Sequence, residues 1–432
     1  MAIEQPLPAR ALFVGAGGMG MRGLAGLWRD AGVRVDSSDD NPAARADLIA
    51  ADFEVIPAAA PVYGYDCLVY SDAVPDRHPL RRAAQQAGVP ELPYHVALGH
   101  FSRRYRTVAI TGTHGKSSTT ALVAHLLVTA GLDPTVLVGA PIPAWGGSTY
   151  RSGRGNFFVV EADEYREHFL SLSWEAAVIV SIDFDHPDYF HSLEAVEQAY
   201  SRFLQLNPEG WAAVRKEVLS SHPDISWPAH TLVVADDPAK AEVPALPGAH
   251  MRRNATLAAA AAAWCGVSKP VIAAALASFT GLGRRFEQLG TCRGVPLISD
   301  YGHHPQEIAA TLAGLHERYP SGRILVLWEP HTAERLHLFG DAFVKSLRTA
   351  DGVVLLPTYQ PTGRGNDDSA ADNRVRKHVF STLTSGGRAG WRCDTYASLP
   401  TLLRRLAPDF TAVICFSAGS ADAKLRHLAE TD

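Results

Sequence analysis

Short apolar, β-branched runs recur along the chain, each ending in a Gly- or Asp-rich turn and followed by a stretch with helical spacing. They are Ala11–Val14, Thr107–Ile110, Phe157–Val160, Ala177–Ile182, Ile324–Trp328, Val353–Leu356 and Ala412–Phe416. Runs that are apolar throughout read as strands buried on both faces. Their alternation with helical patterns predicts an α/β fold with parallel sheets covered by helices on both sides. Ligands in such sheets sit beyond the carboxyl ends of the strands, so the residues just after each run are the ones to read for chemistry. No fixed-period repeat is present, which excludes a solenoid. Three segments emerge: 1–103, ending near the basic stretch Phe101–Arg106; 104–288, containing an Ala-rich helix around 254–264; and 289–432, beginning after the charged turn Gly283–Glu287.

Composition narrows the function classes. The chain has 432 residues, too many for one core, and its 47% apolar and 20% charged content is that of a globular protein. Forty basic against 45 acidic residues give a formal charge of −5, the wrong sign for a nucleic-acid partner. The five cysteines are scattered without CxxC spacing, which fits a reducing compartment and argues against a disulfide or zinc framework. Residues 1–10 lack the apolar run of a signal peptide, and the longest low-polarity stretch, Leu257–Cys265, is far below the ~20 residues that cross a bilayer. The expectation is a cytoplasmic protein without membrane insertion, monomeric or weakly dimeric.

The strongest motif follows the run Thr107–Ile110. Thr111-Gly112-Thr113-His114-Gly115-Lys116-Ser117-Ser118 leads into the helical pattern Ala121–Ala130. Strand, glycine loop and helix together make a phosphate-binding loop, one in which backbone N–H groups and the helix N-terminus converge on phosphate oxygens. Lys116 would reach the β- and γ-phosphates of ATP and the Ser117 hydroxyl would ligate Mg²⁺. The loop is shorter than GxxxxGK[ST], with only Thr113 and His114 between its glycines. The run Phe157–Val160 ends in three carboxylates, Glu161, Asp163 and Glu164, of which Glu161, first after the run, is the best-placed metal ligand. Ala177–Ile182 runs into Asp183-Phe184-Asp185-His186, making His186 a second metal or phosphate ligand.

Nearer the N-terminus, Gly15, Gly17, Gly18, Met19 and Gly20 follow a strand, and Asp39 lies about 20 positions on. The spacing satisfies GxGxxG. It describes equally a loop for the diphosphate of a UDP-sugar, a nicotinamide dinucleotide site or a structural turn, and the presence of a separate phosphate loop favours the UDP-sugar.

Taken together these residues resemble the Mur ligase family, ATP-dependent enzymes that add amino acids to a UDP-linked muramyl carboxylate. The resemblance runs from Gly15 to the strand ending at Phe416. It implies three domains: an N-terminal Rossmann-like UDP-sugar domain, a central P-loop ATPase with a parallel sheet, and a C-terminal Rossmann-like amino-acid domain. It also implies that Lys116, Glu161 and His186 are catalytic, and that Ser117, Glu161 and His186 hold metal. The loop Gly112–Ser118, together with Asn254, Arg285 and Asp300, would bind ATP. The segment 247–255 is similar to the family's Gly-x-His-Asn-x-x-Asn-Ala, with Asn254 at its second asparagine. Asp300-Tyr301-Gly302-His303-His304-Pro305 and Glu329-Pro330-His331-Thr332-Ala333-Glu334-Arg335 are similar to segments of the branch that adds L-alanine. They imply His303, His304, His331 and Arg335 as substrate-binding residues. The pair His303-His304 has no third ligand at zinc spacing, which argues against a zinc site.

Several positions depart from the family pattern. Met251 replaces its first asparagine, Ser181 an asparagine before Ile182, and Tyr165 a serine. The stretch Phe184–His186 with Phe190 is similar instead to the branch that adds a peptide, whereas Tyr301-Gly302 and His331 match the L-alanine branch. The expected reaction joins L-alanine to the carboxylate of UDP-N-acetylmuramate through an acyl phosphate, with ATP and Mg²⁺. The alternatives are tripeptide addition, or a catalytically silent UDP-sugar-binding homologue.

Overall fold

In the computed structural model, residues 6–235, 243–359, 369–385 and 389–432 are described. Among them the strands form three sheets in chain order. The first contains β1 (Arg10–Val14), β2 (Arg34–Ser38), β3 (Glu54–Val55), β4 (Cys67–Tyr70) and β5 (Glu91–Pro93), in the order β3-β2-β1-β4-β5 and parallel throughout. The second contains β6 (Arg106–Thr111), β7 (Thr135–Ile142), β8 (Ser148–Arg151), β9 (Phe157–Glu161), β10 (Ala176–Ile179), β11 (Trp211–Arg215) and β12 (His230–Val234). Its order is β12-β11-β10-β6-β9-β7-β8. The third contains β13 (Glu287–Cys292), β14 (Val295–Asp300), β15 (Ile324–Trp328), β16 (Gly352–Leu355), β17 (Ala389–Arg392) and β18 (Ala412–Phe416), in the order β13-β14-β18-β15-β16-β17. This is the three-domain α/β architecture expected of the sequence. Parallel pairing fails at two edges, where β8 and β13 run antiparallel to β7 and β14.

All seven apolar runs are strands. The run at 177–182 stops three residues early, because Val180 donates to Thr111 O at 2.9 Å and Ser181 then turns to the phosphate loop. Continuous apolar runs work here because both faces of the strands are covered; Val108, Ala109, Ile110, Val159 and Val160 are all fully buried. The stretch Phe101–Arg106 is less of a linker than its charge suggests. Phe101 ends the helix Tyr94–Ser102, is 1% exposed and meets Phe158 edge-on at 5.4 Å.

By packing, the chain divides into two compact units, Met1–Val243 with Arg253–Phe279, and Pro244–Arg252 with Thr280–Asp432. The first unit holds the first two sheets. One apolar core, including Phe13, Trp28, Phe101, Phe158, Phe169 and Phe203, runs through both. Each fully buried large side chain contributes roughly 1.5–3 kcal/mol, so these two sheets are joined by core rather than by a tether. The helix Met19–Asp30 lies against β7 and β8, and glycines permit the approach: a Cβ at Gly23 or Gly26 would overlap Leu137 or Tyr150. The second unit has its own core around Leu325, Leu327, Val354, Val413 and Cys415.

Candidate functional site

In the first unit the loop 112–115 leaves β6 and enters the helix Lys116–Thr129. Two glycines make the turn possible. Gly112 has φ +145° and Gly115 φ +83°, and a Cβ would come within 2.8 Å of Ser181 N at the first and 2.9 Å of Asn254 Nδ2 at the second. Ser181 clamps the loop from β10, since its hydroxyl accepts from His114 N at 2.8 Å and its carbonyl from Thr113 N at 3.1 Å. The Thr113 hydroxyl accepts from Asp183 N at 2.8 Å. Asn254 is buried beside Gly115.

Lys116 Nζ donates to Gly112 O at 2.7 Å and to both oxygens of Glu164, at 2.9 and 2.7 Å. Glu164 is 2% exposed. Burial alone would lower the Lys116 pKa, but the charges of Glu164, Asp163 and Glu161 outweigh it and raise the value. Burial likewise works against the Glu164 carboxylate, yet Lys116 and His186 hold its pKa below the usual range. His186 Nε2 lies 3.7 Å from Glu164 Oε1, and its φ of +56° is unusual for a residue with a side chain.

Asp163, Glu164 and His186 each offer one ligand atom within 4.8 Å of the others, a group able to hold a divalent cation. Two carboxylates next to a phosphate loop suit Mg²⁺, a hard cation that prefers oxygen ligands and phosphate partners. Glu161 stands outside this group; its carboxylate accepts from Gly139 N on β7, where a Cβ would overlap it. Ser117 is in the first turn of the helix and 9% exposed.

The N-terminal glycine loop belongs to the same unit. Gly15 N and Ala16 N donate to Ser38 O, and Asp39 Oδ2 accepts from Gly17 N at 2.8 Å. Asp39 thus braces the turn. Met19 O accepts from the Thr149 hydroxyl at 3.2 Å, and a Cβ at Gly20 would meet Tyr94 Oη at 2.8 Å. Burial, then the charges of Asp163 and Glu161, raise the Tyr94 pKa, so this phenol keeps its proton. Asp72, after β4, pairs with His168 Nε2 at 2.8 Å, and that ring stacks on His95 at 4.6 Å.

In the second unit a separate group gathers beyond β14 and β15. The His303 and His331 rings lie 5.0 Å apart, Arg335 donates to His331 Nδ1 at 3.1 Å, and the Tyr359 ring is 5.7 Å from His331. His304 has a different place. It is buried, caps the helix Pro305–Arg318 by accepting from Gln306 N, and packs on Phe339. Asp300 accepts from Phe286 N at 2.9 Å and Gly302 N at 2.8 Å; burial pushes its carboxyl up to about 6. Arg285 lies 3.7 Å from Glu307 and over the Tyr301 ring. Glu329 is buried and accepts from the Ser417 hydroxyl at 2.6 Å and Gly419 N at 2.8 Å.

Three family models match in the order the sheets occur: the catalytic domain of the Mur ligase family over residues 11–106, the Mur ligase middle domain over 110–217, and the Mur ligase glutamate ligase domain over 284–419. The UDP-N-acetylmuramate–L-alanine ligase of Neisseria gonorrhoeae is 34% identical, with 94% of this chain and 95% of that protein covered. The chain belongs to the Mur ligase family. The ligase of the same name from Laribacter hongkongensis is 35% identical over 94% of both chains. The fold is also that of the UDP-N-acetylmuramate–alanine ligase of Thermotoga maritima (TM-score 0.78, 24% identity, 98% of each chain). A murein peptide ligase of Psychrobacter arcticus shares it less closely (TM-score 0.70, 20% identity, 97% of this chain and 98% of that one).

Within this Mur ligase the phosphate loop, Asn254 and His186 meet in one unit, while His303, His331 and Arg335 meet in the other. Sequence reasoning gave no site role to Glu164, Ser181, Tyr94 or Tyr359. Glu164 was visible as the third carboxylate of the stretch 161–164, but β9 ends before it, so periodicity could not aim its side chain.

Proposed function

We propose that this Mur ligase joins L-alanine to the lactyl carboxylate of UDP-N-acetylmuramate, using ATP and Mg²⁺, in peptidoglycan precursor synthesis. The single observation that carries the reading is Lys116, held at the mouth of a glycine loop among carboxylates that suit magnesium, in a chain about 34% identical throughout to ligases of that name. A carboxylate and an amine do not condense in water. Transfer of the γ-phosphoryl group to the carboxylate makes an acyl phosphate. The amine then attacks the acyl carbon, the C–O bond to phosphate breaks, and the amide and inorganic phosphate leave with one proton released.

This chain's residues then divide the work. The N–H groups from Gly115 to Ser117, at the helix N-terminus, cradle the triphosphate, and Lys116 spreads charge over the phosphoryl group in transfer. Magnesium, when bound, neutralises phosphate oxygens; Ser117, Glu161, Asp163, Glu164 and His186 are the residues that would hold it. The loop Gly15–Gly20 takes the UDP diphosphate, with Asp39 fixing its shape. In the first unit Asn254 serves the nucleotide, and in the second His303, His331 and Arg335 form the amino-acid pocket.

The test offers ATP, Mg²⁺ and UDP-N-acetylmuramate with L-alanine, glycine, L-serine or the tripeptide L-alanyl-γ-glutamyl-diamino acid, and measures product mass. The alanyl amide as preferred product supports the reading. Amide formed only with the tripeptide moves the protein to the peptide-adding branch, and sugar-nucleotide binding without any phosphate release makes it a binding homologue.

A further inference from the structure

Lys116 and Glu164 pose a charge problem that the proposed reaction must solve. The ammonium has three acceptors within 2.9 Å, Gly112 O and both Glu164 oxygens, so it cannot grip a phosphate without giving some of them up. Glu164 is 2% exposed, and a carboxylate buried that deeply keeps its charge only beside a cation. When the lysine leaves, another positive charge must arrive. The neighbours are ready for one: Asp163 and His186 present ligand atoms within 4.8 Å of Glu164. The backbone that follows is held in an uncommon conformation, with Arg166 at φ +49° and Glu167 at φ +59°. It is anchored on both sides, by Glu167 to Arg202 and by His168 to Asp72.

We propose that Glu164 is a positioning residue that takes the place of the nucleotide's phosphates beside Lys116 until they bind. It holds Lys116 in place, and on arrival of the triphosphate hands the lysine over and completes a divalent-cation site with Asp163 and His186. The inference rests on the ligase reading and goes beyond it by coupling the two ligands. Nucleotide binding releases the carboxylate that the cation needs, and by linkage the cation favours release of the lysine to the nucleotide. Lys116 alone, without Glu164, would be a buried ammonium with one carbonyl partner; Glu164 alone would be a buried anion.

The test removes one partner at a time from the full-length protein, without nucleotide for the metal and without metal for the nucleotide. Mn²⁺ binding is read by the electron paramagnetic resonance of the free ion. K116M should bind one Mn²⁺ about tenfold more tightly than wild type, and K116M/E164Q should lose that gain. Equal Mn²⁺ affinity in wild type and K116M overturns the proposal. The second arm does not depend on K116M folding. In EDTA, E164Q should bind ATP about fivefold or more tightly than wild type by calorimetry, because its lysine is no longer engaged; equal or weaker binding overturns the proposal. Failure of the ligase reading looks different: wild-type protein that binds no ATP even with Mg²⁺ would overturn that reading and this one with it.

Discussion

In the proposed reaction turnover depends most on Lys116, whose ammonium would act on the phosphoryl group in transfer, whereas the glycine loop proposed for the sugar nucleotide lies on a different sheet. Lys116→Ala should therefore lower turnover by roughly 10²–10³-fold or more, with the dissociation constant for UDP-N-acetylmuramate unchanged in calorimetry. Loss of both together contradicts this division of labour. Glu161→Gln should raise the Mg²⁺ concentration for half-maximal turnover by about tenfold, and an unchanged magnesium titration would remove Glu161 from the metal's surroundings. Asp300 gives a pH signature. Its carboxyl, raised by burial to about 6, binds a proton in the folded chain that the unfolded chain has released. The group therefore costs stability progressively as pH rises from about 4 to 6, and the full cost, about 3 kcal/mol at most, remains above that window. The amide resonances of Phe286 and Gly302, which donate to Asp300, should titrate with a midpoint near 6. A midpoint at an ordinary carboxylate value contradicts it. Lys116 and His186 were singled out from motif and spacing, and Asn254 only through the family resemblance. Glu164 and Tyr94 were not, because what places them is the packing of segments distant in the chain.

Among the elements, the helix Tyr94–Ser102 and the segment Tyr165–Ser171 are packed so closely that a Cβ on Gly99 would overlap the backbone of Ser171. In an exposed helix Gly→Ala gains about 1 kcal/mol. Here the neighbour is a carbonyl that cannot swing aside, and overpacking of this kind costs about 1–3 kcal/mol. Gly99→Ala should thus lower the urea midpoint and, by displacing the segment after Glu164, weaken ATP binding; a stabilised variant would contradict the packing argument. The strands read from apolar runs were legible because burial on both faces leaves an unbroken signal. The antiparallel edges β8 and β13 were not, since Ser148–Arg151 and Glu287–Cys292 are polar, short and set by pairing with a neighbour. Ser181 ends β10 early for a local reason, its three bonds to the phosphate loop.

For the whole molecule, alternating runs and helical patterns were enough to read an α/β protein of three sheets. What they could not reveal is that the first two sheets share one core, because Phe13 and Phe158 lie on runs far apart in sequence. That shared core suits the proposed reaction, in which a sugar nucleotide on one sheet and a triphosphate on the next would have to be held in fixed register for in-line transfer. The most direct measurement supplies UDP-N-acetylmuramate carrying ¹⁸O in its carboxylate, with ATP, Mg²⁺ and L-alanine, and weighs the phosphate released. Transfer of the γ-phosphoryl group to that carboxylate requires one ¹⁸O in inorganic phosphate for each amide formed. Phosphate without label, at any yield of amide, would contradict the account.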